Sequence, residues 1–163
     1  MFMNYLALLN AVLLTDICVI LLSIFGIIKS KVLKEWYVNY NLSAVIADVL
    51  IIVLGIILTK IIYPLFFGNR ENIILFICLA LVIQIIHDLS FYYFFSLIPK
   101  GANRMLDTFK AYAKENGYKA ILSDSAMIVS SCLLYSYFSS FTFDKNMILL
   151  IVLVYLVPYL VYT

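Results

Sequence analysis

Residues 73–98, IILFICLALVIQIIHDLSFYYFFSLI, decide the fold class of this chain. The stretch contains one carboxylate, Asp88, one imidazole, His87, and no lysine or arginine. A helix needs about 20 apolar residues to cross the roughly 30 Å hydrocarbon core of a bilayer, and in lipid every backbone polar group must be satisfied within the segment. The stretch is therefore predicted to be a membrane-spanning helix.

The composition of the whole chain points the same way. Of its 163 residues 66% are hydrophobic and 12% are charged, against roughly 25% charged in a typical soluble domain. With a mean hydropathy of +1.09, a water-soluble globule would expose large apolar patches, which soluble monomers rarely tolerate. The net charge of only +2, without a basic stripe that has interleaved aromatic residues, argues against a nucleic-acid partner.

Four further stretches have the length and apolar character of a span. Together with residues 73–98, the predicted spans are residues 5–28, 42–63, 120–143 and 146–162. Pro64 is expected to kink or end the second span. The sequence thus predicts an all-α bundle of five membrane helices, organised as a single transmembrane domain over residues 1–163.

In the connector between the third and fourth spans, apolar residues are spaced as in an amphipathic helix. From Ala102 to Ala113 apolar residues recur at steps of three and four, which predicts an amphipathic interfacial helix over about residues 102–116 that ends at Gly117. Two interpretations stay open: a linker that lies flat on the membrane, or a docking surface for a cytoplasmic partner or anionic headgroups. The candidate contact residues are Lys100, Arg104, Lys110, Lys114 and Lys119.

Lysine and arginine are unevenly divided between the two sides of the membrane. The loops that follow the first and third spans carry eight of them, and the loops on the other side carry three. Because cytoplasmic loops are enriched in lysine and arginine, the eight are expected to lie in the cytoplasm. This orientation places the N-terminus outside and the C-terminus in the cytoplasm.

Ionisable groups inside the predicted spans are the most informative residues. A charge at the centre of a membrane helix costs about 2.5–3.5 kcal/mol on insertion scales, so each group must face a partner, a cavity or the bundle interior. Gln84, His87 and Asp88 share one helix face, and we expect similar faces of other spans to converge with it on a polar seam. The candidate seam residues are Asp16, Asp48, Gln84, His87, Asp88, Asp124 and Ser131.

Three functions are compatible with such a seam. In the first, hydrogen bonds fix helix register in a protein with a structural or assembly role. In the second, Asp16, His87 and Asp88 form the route of a small proton or cation channel or transporter. In the third, a membrane-embedded enzyme brings two carboxylates together, and Asp48 and Asp124 have matching depths for this chemistry.

The sequence contains no recognisable catalytic or cofactor motif. A serine elbow, a phosphate-binding glycine loop and H-E-x-x-H are all absent, and one histidine cannot form a two-histidine metal site in a monomer. We therefore expect no catalytic, metal or cofactor site. The expected partners are the lipid bilayer, anionic headgroups or a cytoplasmic-side protein, and a second copy of the chain.

The stretch from Gln84 to Ser131 resembles a viral family. Its segments QxxHD, IPKG, MLDxFKxYAxExG and AIxxDS, within residues 84–125, are similar to uncharacterised multi-pass membrane proteins of nucleocytoplasmic large DNA viruses, including algal-virus and mimivirus relatives. The resemblance implies a viral protein in a host-derived membrane, such as the lipid layer beneath a capsid, and it implies no activity. The matching positions include His87, Asp88, Asp107, Glu115 and Asp124.

Overall fold

A computed structural model describes residues 3–68 and 70–162 of the chain. Within these residues the secondary structure is helical, without strands. The helices are α1 (Tyr5–Ile24), α2 (Lys31–Tyr40), α3 (Leu42–Phe67), α4 (Ile73–Leu97), α5 (Arg104–Asn116), α6 (Tyr118–Phe138) and α7 (Phe143–Val161). The predicted all-α bundle is confirmed.

Five of these helices are long and apolar enough to cross a membrane: α1, α3, α4, α6 and α7. The prediction of five spans is therefore confirmed. Helix α1 is the most buried of the five and packs against α3, α6 and α7, whereas α4 is the least buried and packs against α3 and α6. Ala7 and Ala11 are fully buried on α1, where small side chains allow neighbouring helices to approach closely.

The ends of α1 and α3 differ from the predicted boundaries. Helix α1 ends at Ile24 instead of residue 28, because Gly26 adopts a φ of +70° that turns the chain out of the helix. Helix α3 does not end at Pro64 but continues to Phe67. A proline removes a single helical hydrogen bond, and membrane helices tolerate this loss.

The last two spans meet in a short turn that lies earlier in the chain than predicted. Helix α6 ends at Phe138 instead of residue 143, and α7 begins at Phe143 instead of residue 146. The Thr142 hydroxyl accepts a hydrogen bond from the Lys145 backbone nitrogen at 3.4 Å, which caps the start of α7.

Helix α2 is not among the predicted elements. The Ser30 hydroxyl caps it by accepting from the Leu33 backbone nitrogen at 3.1 Å, and Leu33, Trp36 and Tyr37 form its buried face. Helices α2 and α5 pack together, so both lie at one end of the bundle. We call this the basic end, since it carries the eight cations of the lysine-rich loops.

The joint between α2 and α3 contains a strained residue. Asn41 has φ 46° and ψ −123°, almost the same backbone conformation as Gly117 at the joint between α5 and α6, with φ 53° and ψ −129°. A side chain in such a sparsely populated region costs about 1–3 kcal/mol, and the Asn41 side chain makes no capping hydrogen bond in return.

We expect Asn41→Gly to raise the free energy of unfolding by about 1 kcal/mol, because glycine relieves the strain but adds entropy to the unfolded chain. Detergent-titration unfolding followed by circular dichroism measures the change. The matched control is Asn39→Gly, at an exposed position inside α2, which should lower stability by about 0.3 kcal/mol. A variant Asn41→Gly no more stable than wild type would contradict the strain.

Candidate functional site: an acidic cavity between three spans

Helices α2 and α5 form a cover over the basic end. The ring centres of Trp36 on α2 and Phe109 on α5 are 4.6 Å apart, and the hydroxyls of Tyr40 and Thr108 are 2.9 Å apart. The apolar face that the sequence predicted for α5 therefore contacts α2 and the bundle core.

Polar contacts tie the ends of the same two helices together. The Ser30 hydroxyl donates to Glu115 Oε1 at 2.7 Å, and the Val32 backbone nitrogen donates to Glu115 Oε2 at 3.3 Å. Asn116 Nδ2 in turn donates to the Ser30 hydroxyl at 3.2 Å. Glu115 thus caps the exposed backbone at the start of α2, and the two helices of the cover are held as one unit.

Beneath the cover a cavity of about 610 Å³ lies between α3, α4 and α6. Its volume falls within the roughly 300–1,000 Å³ of typical small-molecule sites. The ionisable, amide and phenolic residues on its wall are Tyr37, Asp48, Gln84, His87, Asp88, Tyr92, Lys110, Tyr112 and Asp124.

The carboxylate of Asp88 on α4 contacts polar side chains of the same helix. Asp88 Oδ1 accepts from Gln84 Nε2 at 2.6 Å and lies 3.2 Å from His87 Nδ1. Asp88 Oδ2 and His87 Nε2 are buried and have no hydrogen-bond partner among the described residues. Gln84, His87 and Asp88 therefore all line the cavity, as the predicted face requires, while packing covers the two atoms that have no partner.

The other two cavity acids come from α3 and α6. Asp48 Oδ2 accepts from the indole nitrogen of Trp36 at 2.9 Å, and Asp124 makes no hydrogen bond within the described part of the chain. The ion pairs in residues 3–68 and 70–162 are Lys31 with Glu35 and His87 with Asp88. No lysine or arginine in these ranges is therefore paired with any of the three cavity acids.

The cation and the phenol of α5 that face the cavity are already constrained. Lys110 lines the cavity, and its ammonium group donates to the backbone carbonyl of Ile98. Burial raises the pKa of the Tyr112 phenol to about 12, and the nearby charge of Asp124 adds to this rise. Tyr112 is therefore a protonated hydrogen-bond donor at neutral pH. The other predicted contact residues, Lys100, Arg104, Lys114 and Lys119, are exposed at the basic end.

Asp16 lies behind the cavity wall. It is fully buried on α1, where its Oδ1 accepts from the Tyr37 hydroxyl at 3.0 Å and its Oδ2 has no partner among the described residues. Burial raises the pKa of Tyr37 well above its usual value, and the charges of Asp16 and Asp48 raise it further. Tyr37 lines the cavity, so this phenol connects Asp16 to it.

Ser131 belongs to a dry contact instead. It is fully buried, and its hydroxyl donates to Thr15 on α1 at 3.2 Å. A second dry contact joins α1 to α7, where Asn10 Nδ2 donates to the backbone oxygen of Asn146 at 2.8 Å and to its Oδ1 at 3.2 Å. These contacts fix the register of α1 against its neighbours.

Sequence reasoning did not identify Trp36, Tyr37 and Tyr112 as site residues. The signal for Trp36 and Tyr37 was the spacing of apolar residues on the short helix α2, and Tyr112 was assigned only to the apolar face of α5. Asp48 and Asp124, the pair considered for enzyme chemistry, line the same cavity, but no hydrogen bond joins them. Within the described residues no three histidine, cysteine, aspartate or glutamate side chains come together to hold a metal ion.

Comparison with protein-family models, with curated proteins and with solved structures finds no match to this chain.

Proposed function

We propose that this multi-pass membrane protein is a small cation transporter and that the acidic cavity is its binding site. One observation carries the proposal: three spans each direct a carboxylate, Asp48, Asp88 and Asp124, to one cavity, and His87 beside Asp88 is the only ion-pair partner that any of them has among the described residues. Buried charges are normally paired, so such a site favours an external cation.

The packing of the bundle places the cavity nearer to the basic end. The cavity reaches the cover helices of the basic end, whereas Leu8, Val12 and Ile56 are fully buried in the core of α1 and α3. In an alternating-access cycle a site opens to one side at a time, and here α2 and α5 would have to move to open the cavity to the basic end.

The proposal includes the cytoplasmic location of the basic end, with the N-terminus outside, and a host-derived membrane as the location of the protein.

A structural or assembly role is the second candidate function. The observation that favours it is the pair of dry contacts, Ser131 with Thr15 and Asn10 with Asn146, which hold α1, α6 and α7 in register without any cavity. In that role the exposed cations of the basic end would bind anionic headgroups or a cytoplasmic-side protein.

Charge movement in proteoliposomes separates the two functions. The purified chain is reconstituted, adsorbed to a solid-supported membrane and exposed to concentration jumps of protons, sodium, potassium and benzylammonium. A transporter gives a transient current for at least one cation, which saturates with concentration and is missing from empty liposomes. Currents equal to those of empty liposomes for all four cations would overturn the transport proposal and leave the structural role.

A further inference from the structure

The volume of the cavity indicates which kind of cation fits it. A proton or a small inorganic ion would leave most of the 610 Å³ unfilled. Divalent metal ions also prefer several oxygen or nitrogen ligands in a tight shell, and no three histidine, cysteine, aspartate or glutamate side chains of the described residues form one. A ligand with an apolar body fills the space better.

Aromatic rings cover one wall of the cavity in an unbroken row. The distance between ring centres is 4.1 Å for His87 and Phe91, 5.1 Å for Phe91 and Phe95, and 6.0 Å for Phe95 and Phe109. All four residues line the cavity. Ring faces attract cations, by about 0.5–1 kcal/mol at exposed sites, and Phe91 is 42% exposed.

The cavity also offers hydrogen-bond acceptors without donors. The Asp88 side chain lines the cavity and is 19% exposed, and its Oδ2, which packing covers, has no partner in the described part of the chain. Gln84 is only 7% exposed, and its amide donates to Asp88, while its carbonyl oxygen accepts no hydrogen bond from described residues. An N–H group on the ligand could donate to the Gln84 oxygen and to the accessible part of the Asp88 carboxylate, which a quaternary ammonium cannot do.

We infer that the ligand of this cavity is an amphipathic organic amine in its protonated form, with an aromatic or apolar body that packs on Phe91 and Phe95 and an ammonium group that binds Asp88. This inference rests on the proposed function, because it names the chemical class of the transported cation.

Binding to the full chain in nanodiscs tests the class of ligand. Trp36 is the only tryptophan of the chain, and it donates to the cavity acid Asp48, so its fluorescence reports on the cavity. Isothermal titration calorimetry gives a second readout for any ligand that leaves the fluorescence unchanged. The probes are benzylammonium, methylammonium, benzyltrimethylammonium, potassium and benzenesulfonate.

We expect benzylammonium to bind most tightly, methylammonium to bind about tenfold or more weakly because it lacks the apolar body, and benzenesulfonate not to bind. Phe91→Leu should weaken benzylammonium binding about threefold or more, whereas Phe94→Leu, on the same helix but outside the cavity wall, should leave it unchanged. Benzyltrimethylammonium should bind more weakly than benzylammonium, since it has no N–H to donate.

The outcomes separate this inference from the proposed function. Potassium that binds as tightly as benzylammonium would overturn the inference that the ligand is an organic amine and would leave the proposed transport function standing. A charge-movement signal for an inorganic cation, while benzylammonium does not bind, would have the same two consequences. Equal binding of benzylammonium and benzenesulfonate would show a merely apolar cavity and would overturn the inference as well.

Discussion

Asp88→Asn is expected to reduce cation-driven current about thirtyfold or more. The substitution keeps the shape of the side chain and its acceptor for Gln84, so the cavity wall should stay intact. What it removes is the charge that would face the ligand. Truncating one partner of a buried charge pair costs about 2–5 kcal/mol, which corresponds to at least this factor in affinity.

Two controls keep the experiment specific. Asp144→Asn removes an exposed acid in the first turn of α7, outside the cavity, and should leave the current unchanged. Thermal unfolding followed by circular dichroism shows whether Asp88→Asn is folded. A folded Asp88→Asn variant with wild-type current would exclude Asp88 from the transport site and would count against the cavity as the route of the cation.

Asn146→Leu should lower the free energy of unfolding by about 2–3 kcal/mol. Asn146 is fully buried, and its amide donates to the backbone oxygens of Phe138 at 3.0 Å and Phe141 at 3.4 Å, which closes the turn between α6 and α7. A single interhelical hydrogen bond in a membrane averages only about 0.6 kcal/mol. The larger value is expected because leucine leaves several buried polar groups without partners at once.

A double-mutant cycle with Asn10→Leu tests this explanation. Leucine at position 146 removes the Oδ1 that accepts from Asn10 but keeps the backbone oxygen that also accepts from it, so the two losses should fall short of additive by about 0.5 kcal/mol. Unfolding in a detergent titration gives each value. Asn39→Leu, at an exposed position on α2, is the control and should change stability by no more than about 0.5 kcal/mol. Additive losses would show that Asn10 and Asn146 do not act as a pair.

The five spans were predictable because lipid imposes the same demand on each of them. A stretch such as Ile73–Leu97 must satisfy its own backbone, so its length and hydropathy suffice to identify it. Helix α2 has no such signature, since its ten residues include three charged side chains, Lys31, Lys34 and Glu35. It is stabilised by Trp36 packing on Phe109, a contact between residues far apart in the sequence.

For the site, the sequence identified which groups are costly to bury but not which of them meet. That depends on the order of the helices around the bundle, which hydropathy does not contain. Asp16 and Ser131 were grouped with the seam acids, yet α1 lies behind the cavity, so Asp16 reaches it only through Tyr37 and Ser131 contacts Thr15. Lys110 was grouped with the surface cations, yet its position on α5 turns it into the cavity.

The depth of the cavity has an electrical consequence. Asp88 lies nine residues from the end of α4 at Leu97, or about 14 Å along the helix, which is nearly half of the roughly 30 Å hydrocarbon core. In the proposed transporter, water that entered this cavity would bring the bulk potential of one compartment inward, so the membrane voltage would drop mostly across the remaining half. The field there would be about twice that in an unperturbed bilayer, and an elementary charge that moved from Asp88 to the far side would experience nearly the whole of about 2.3 kcal/mol per 100 mV.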